Sequence, residues 1–85
     1  MLSIALSCGV ARAATPEESI ERGVRMMQSG QFEAAMREFL DADARAPSAH
    51  AGAEIGLAER ALGRWADAEL HLTEALASVD DAWIQ

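Results

Sequence analysis

Two histidines and one cysteine are the side chains in this sequence best suited to catalysis or metal binding. His50 and His71 stand 21 positions apart, and no pair of carboxylates surrounds them at metal-ligand spacing. Cys8 is the only thiol, and the sequence has neither a Lys for Schiff-base chemistry nor a glycine-rich phosphate loop after a strand. We therefore expect no enzymatic activity, no metal, no cofactor and no small-molecule substrate. We expect His50 near a helix start and His71 on an exposed helix face.

Length and composition favour one small helical domain. The chain has 85 residues, of which 51% are apolar, and it is rich in Ala with few β-branched residues, which favours helices over sheets. It carries 14 acidic residues against 7 basic ones, all Arg, for a net charge of −7. Such an acidic chain is a poor match for nucleic acid or an anionic membrane, because both are themselves negatively charged.

Residues 1–13 resemble an export signal. An apolar run from Leu2 to Ala11 precedes Ala11-Arg12-Ala13, a small-x-small site of the kind that signal peptidases cleave. We therefore predict a signal peptide cleaved after Ala13, and a mature protein that is periplasmic or secreted. No basic residue precedes the apolar run, so a cytoplasmic protein with an N-terminal extension stays open as the alternative. The run is too short for a membrane span, which needs about 20 residues.

The remaining sequence predicts four helices. Thr15-Pro16-Glu17-Glu18 is a typical helix start, with Thr15 as cap, Pro16 at the first helical position and Glu18 closing a capping box. Gly30 and Gly63 are typical helix stops. The predicted helices run to Ser29, from Phe32 to Arg45, from a Ser48 cap to Leu62, and from Trp65 to Ser78. Four acid-first pairs at i,i+4 spacing predict surface ion pairs: Glu18/Arg22, Glu21/Arg25, Glu33/Arg37 and Asp41/Arg45.

The second half of the chain repeats the first at an offset of 33 residues. Small residues match where helices would cross, and bulky residues match beside them, which allows two backbones to approach closely. The matching pairs are Gly23/Gly56, Gly30/Gly63, Ala35/Ala68, Ala42/Ala75, Phe32/Trp65 and Phe39/Leu72. We expect Phe32, Phe39 and Trp65 to pack between helices. A plain four-helix bundle is the alternative to a repeat array.

This pattern resembles the tetratricopeptide repeat family, in which a small residue, a turn glycine, an aromatic residue and an Ala-bulky-Ala series follow one another. The first unit shows Gly23, Gly30-Gln31-Phe32, Ala35, Phe39, Ala42 and Pro47, and the second shows Gly56, Gly63-Arg64-Trp65, Ala68, Leu72 and Ala75. The resemblance implies an all-α solenoid of two tandem helix-turn-helix repeats with four antiparallel helices. The repeats would span residues 16–48 and 49–81, and residues 82–85 would begin a third repeat or form a capping stub. The sequence departs from the family pattern at Ser19, Arg22, Gly52, Glu59 and Asp80.

In this family the first helices of successive repeats line a concave groove. The resemblance implies a mostly apolar groove for a partner helix or extended peptide, lined here by Ile20, Val24, Met27, Gln28, His50, Ala53, Leu57 and Arg60. The same residues could instead pack against a neighbouring segment or a following repeat. The groove has no Lys or Asn, so the family's recognition of a peptide's terminal carboxylate is not expected.

Together these features predict a protein-protein interaction scaffold of the bacterial cell envelope. Two alternatives stay open. The chain could be a regulatory or docking segment at the front of a larger enzyme or signalling protein, with further repeats after Gln85. It could also be a structural module that associates with copies of itself.

Overall fold

The computed structural model describes residues 14–78, and this part of the chain is entirely helical outside its short connections. Its four helices are α1 (Pro16–Gln28), α2 (Phe32–Arg45), α3 (Ala49–Ala61) and α4 (Trp65–Leu76). No strand occurs within the described residues, so the predicted all-α class is confirmed. The predicted signal peptide and the residues at 79–85 lie outside the described residues. No helix between residues 14 and 78 combines the length and apolar character needed to cross a bilayer.

Side-chain caps fix the starts of α1 and α3. Thr15 accepts a hydrogen bond from the Glu18 backbone N–H at 3.1 Å, and the Glu18 carboxylate accepts one from the Thr15 N–H at 2.8 Å. The predicted capping box is therefore confirmed, with Pro16 at the first helical position. Ser48 caps α3 by accepting a hydrogen bond from the Ala51 N–H at 3.0 Å. These bonds satisfy backbone donors that have no partner inside the helix.

Glycine in the left-handed region ends α1 and α3. Gly30 has φ of 81°, and its N–H donates to the Met27 carbonyl at 3.1 Å, while the Gln31 N–H donates to the Met26 carbonyl at 2.8 Å. This pair of bonds is a Schellman motif, and it needs a residue that tolerates positive φ. Gly63 adopts the same φ of 81° after α3. Both predicted stops are confirmed, and each glycine is the middle residue of a three-residue connection to the next helix.

Each helix packs against the next one along the chain, and α1 also contacts α3. The main core lies among α1, α2 and α3, with the fully buried ring of Phe39 as its largest member. The buried cluster consists of Ile20, Ala35, Met36, Phe39, Ala42, Ala51, Ile55 and Ala58. Most members other than Phe39 are small or aliphatic, so this core depends on close helix approach.

Two glycines allow that close approach. A Cβ added at Gly23 would lie within 2.9 Å of three ring atoms of Phe39, too near for van der Waals contact. The same arrangement recurs 33 residues later, where a Cβ at Gly56 would lie 2.7 Å from the Leu72 Cγ. In each helix pair, therefore, the bulky side chain occupies the space that the glycine leaves open.

One of the predicted i,i+4 ion pairs is present between Asp41 and Arg45, and a further pair joins two helices. Arg45 Nε lies 3.4 Å from the Asp41 carboxylate, as the i,i+4 spacing predicts. Arg22 lies 3.5 Å from the Glu38 carboxylate and so connects α1 to α2. Pairs this exposed each contribute little stability, about 0–1 kcal/mol.

A pair of glycine substitutions tests how close the helices are. No heavy atom would lie within 4 Å of a Cβ at Gly52, so Gly52→Ala gains helix propensity without a clash. We expect this change to raise the free energy of unfolding by about 1 kcal/mol. Gly23→Ala has the same propensity gain but overpacks against Phe39, at a cost of about 1–3 kcal/mol, so we expect a net destabilisation.

Urea unfolding of both variants, followed by circular dichroism, measures the two effects. Gly56→Ala repeats the Gly23→Ala test in the second helix pair, α3 and α4, because its Cβ would meet Leu72. Equal effects of the same sign at Gly52 and Gly23 would contradict this account of helix packing.

Candidate functional site

The residues predicted to line the groove have very different exposures. Ile20 is only 7% exposed and belongs to the core cluster, against which Val24 and Met27 also pack as partly buried side chains. Ala53 is 5% exposed. The α1 part of the predicted groove therefore contributes largely to the packing of the core.

Most of the exposed surface of the predicted groove lies on α3 and at the end of α1. Leu57 is 39% exposed, and Arg60 and Gln28 are exposed as well. His50 is partly buried near the start of α3, as expected, and its Nε2 lies 3.3 Å from a carboxylate oxygen of Glu54 one turn later. The structure thus brings an aliphatic side chain and an Arg of α3 to one surface, next to an i,i+4 pair of His and Glu.

The sequence-based placement of His71 needs correction. It was expected on an exposed face of the fourth helix, but its Nδ1 lies 2.6 Å from the Glu59 carboxylate on α3. Its side chain is 35% exposed, whereas that of Glu59 is 8% exposed. The pair therefore joins α3 to α4 through a short hydrogen bond and gives the buried carboxylate its partner.

The carboxylate of Glu59 also changes the protonation of His71. The hydrogen bond to Glu59 raises the pKa of His71 above its ordinary value of 6.5, and partial burial opposes this shift. The negative charges of Glu59, Glu74 and Asp67 raise the pKa further. The imidazolium form of His71 is therefore more stable than that of a free imidazole, because its positive charge lies near three carboxylates.

A pocket of about 360 Å³ lies beside this pair, between the start of α3 and the last turns of α4. Asp43, Ser48, Gly52, His71 and Glu74 are among its lining residues. Gly52 contributes no side chain, which helps to leave the space open. Within residues 14–78, no group of three or more His, Cys, Asp or Glu is placed to hold a metal ion. The pocket thus offers carboxylate, hydroxyl and imidazole groups for hydrogen bonding.

Sequence reasoning missed the exposed apolar face of α4. Trp65 was expected to pack between helices, as the buried Phe39 does, but it is 65% exposed. Leu76, on the same side of α4 as Trp65, is 69% exposed, and Leu70, on a different side, is 55% exposed. The order of the helices could have revealed the exposure of Trp65. Within the described residues, no further helix follows α4 to cover this side chain.

The Glu59–His71 pair predicts a measurable pH dependence. The folded-state pKa of His71 is raised, so the pair's contribution to stability is fully present below about pH 6.5 and is lost as pH rises through the folded-state pKa. Glu59→Gln removes the charge but keeps an acceptor, so we expect a lower pKa of His71 in this variant. Titration of the His71 ring by NMR measures the shift.

The control for this titration is His50→Gln, which leaves the Glu59–His71 contact intact. We expect the pKa of His71 to be the same in this control and in the unchanged protein. An unchanged pKa of His71 in Glu59→Gln would contradict the assigned cause.

Comparison with known proteins identifies no relative of this chain. No family model matches it, and neither the curated proteins nor the solved structures include a significant match. The likeness to tetratricopeptide repeats consequently depends on the residues of this chain alone.

Proposed function

We propose that this protein is a protein-interaction module built from two tandem helix pairs of the tetratricopeptide type, α1–α2 and α3–α4. Two features support the repeat arrangement. α1 (Pro16–Gln28) and α3 (Ala49–Ala61) each have 13 residues and begin 33 residues apart. The contacts of Gly23 with Phe39 and of Gly56 with Leu72 follow the same offset.

The proposed module binds a helix or extended peptide of a partner protein on the face formed by α1 and α3. The exposure of Leu57 is the observation that carries this proposal. Its equivalent in α1 is Val24, which packs against the core cluster, whereas Leu57 is 39% exposed. An apolar partner side chain placed on Leu57 would be removed from water, which stabilises a complex by about 25 cal/mol for each Å² buried.

The polar residues around Leu57 favour a peptide over a membrane surface as the partner. Arg60 and Gln28 are exposed on the same predicted face and can hydrogen-bond to a peptide backbone or to acidic side chains. The net charge of −7 disfavours anionic lipid. An exposed aliphatic side chain with polar neighbours has the arrangement of a protein–protein interface, in which a polar rim surrounds an apolar core.

We also propose that the protein acts in the bacterial cell envelope, after export and cleavage behind Ala13. The support is the apolar run and the small-x-small site in residues 1–13. Edman sequencing of the protein purified from the periplasm tests this. A mature chain beginning at Ala14 is expected, and an intact Met1 on cytoplasmic protein would contradict export.

Site-specific crosslinking tests the proposed groove. A photoreactive residue at position 57 should crosslink one defined partner in cells, and Leu57→Glu should weaken binding of that purified partner at least tenfold. Leu40→Glu is the matched control, because Leu40 is 50% exposed on α2 and lies outside the predicted groove.

Circular dichroism checks that both variants remain helical. Equal affinity of folded Leu57→Glu and Leu40→Glu for the partner would contradict the groove proposal. Crosslinks only between copies of this chain would assign the face to self-association.

A further inference from the structure

The exposed face of α4 corresponds to a covered face of α2. Phe32, Met36 and Phe39 occur at i, i+4 and i+7 in α2, and the last two are 6% and 0% exposed. The equivalent residues in α4, 33 positions later, are Trp65, Glu69 and Leu72. We name the stripe formed by Trp65, Glu69, Leu72 and Leu76 the α4 strip. Trp65 and Leu76 are 65% and 69% exposed, so the α4 strip is accessible where the α2 face is buried.

The helix that covers the α2 face shows what the α4 strip can accept. α3 contributes Ala51, Ile55 and Ala58 to the same buried cluster as Met36 and Phe39. These three residues follow i, i+4, i+7 spacing, which places them on one face of α3. A helix with small and aliphatic residues at this spacing is therefore the shape that fits such a strip.

A second copy of this chain fits the strip poorly. The residues of α1 equivalent to Ala51, Ile55 and Ala58 are Glu18, Arg22 and Arg25, which are exposed. Docking α1 of another copy would remove these charged groups from water on an apolar surface, which is costly.

Pairing two copies of α4 is also unfavourable. Glu69 lies within the α4 strip, and the helix has neither Lys nor Arg to pair with it across such a contact. A symmetric α4–α4 contact would bring like charges together, and such juxtaposition disfavours association.

A carboxylate within the α4 strip indicates the charge of the partner that the strip would bind. Glu69 occupies the position that corresponds to the buried Met36, so a carboxylate lies within the α4 strip itself. Asp67 and Glu74 lie on another side of α4, so Glu69 supplies the negative charge within the strip. A Lys or Arg of the partner beside Glu69 would complement this charge and increase the rate of association.

We propose that the α4 strip is a second docking surface, which binds an amphipathic helix of a partner polypeptide carrying Lys or Arg beside its apolar stripe. This surface is separate from the α1–α3 face of the proposed function. It binds through the exposed Trp65 and Leu76 side chains, with the partly buried Leu72 between them, and selects basic partners through Glu69.

A synthetic peptide provides the test. The probe has the sequence of residues 48–62, which covers α2 in the structure, with Glu54 and Glu59 of the peptide replaced by Lys. Titrated into the complete protein, it should shift the NMR signal of the Trp65 indole N–H. The unmodified peptide should bind at least fivefold more weakly. Glu69→Gln should reduce both the affinity for the basic probe and its sensitivity to salt.

Two leucines of α4 form a matched pair of variants. Leu76 lies in the α4 strip and Leu70 lies outside it, yet both are exposed, and Leu→Glu adds the same charge at either position. We expect Leu76→Glu to weaken binding of the basic probe at least tenfold and Leu70→Glu to change it less than twofold. Leu57→Glu should leave this binding unchanged, which separates the strip from the α1–α3 face.

Four results would overturn the proposal. One is equal loss of binding in Leu76→Glu and Leu70→Glu. Another is equal or tighter binding of the unmodified peptide. Light scattering that shows a dimer abolished by Leu76→Glu would assign the strip to a second copy. A changed Trp65 signal after removal of residues 79–85 would assign it to this chain's own C-terminal residues.

Discussion

The close approach of the α1 backbone at Gly23 to the ring of Phe39 determines how the first three helices pack. The ring fills the space where a Cβ would otherwise lie, and in doing so it becomes the largest fully buried side chain. Ile55 of α3 belongs to the same cluster, so the position of α3 depends on the same contact. Gly56 and Leu72 repeat the arrangement with an aliphatic side chain between α3 and α4.

The features predicted well from sequence are those that depend on local backbone chemistry. A hydroxyl three residues before a Glu gave the capping box at Thr15, and glycine gave the left-handed stops at Gly30 and Gly63. The contact between Glu59 and His71 joins residues 12 apart on different helices. It depends on the rotation of α4 against α3, which helical periodicity in a single element does not determine. That is why His71 was misplaced on an exposed face.

In the candidate site too, helical periodicity assigns residues to a helix face, whereas their exposure depends on which helices pack against that face. Helical periodicity assigned both Val24 and Leu57 to the predicted groove, but the packing shows that Val24 contacts the core and that Leu57 is 39% exposed. Ile20, also assigned to the groove, is buried because α1 contacts both α2 and α3. Trp65 was expected to be covered like its α2 counterpart, yet coverage depends on what packs against α4.

The three-residue connections between helices bear on how fast this chain can fold. Because each helix packs mainly on its neighbour in sequence, most native contacts close short loops, and the entropy lost before each contact forms is small. Chains dominated by such local contacts reach the native state in microseconds to milliseconds. The export proposed above would deliver an unfolded chain, and a chain with contacts this local regains its structure within that time.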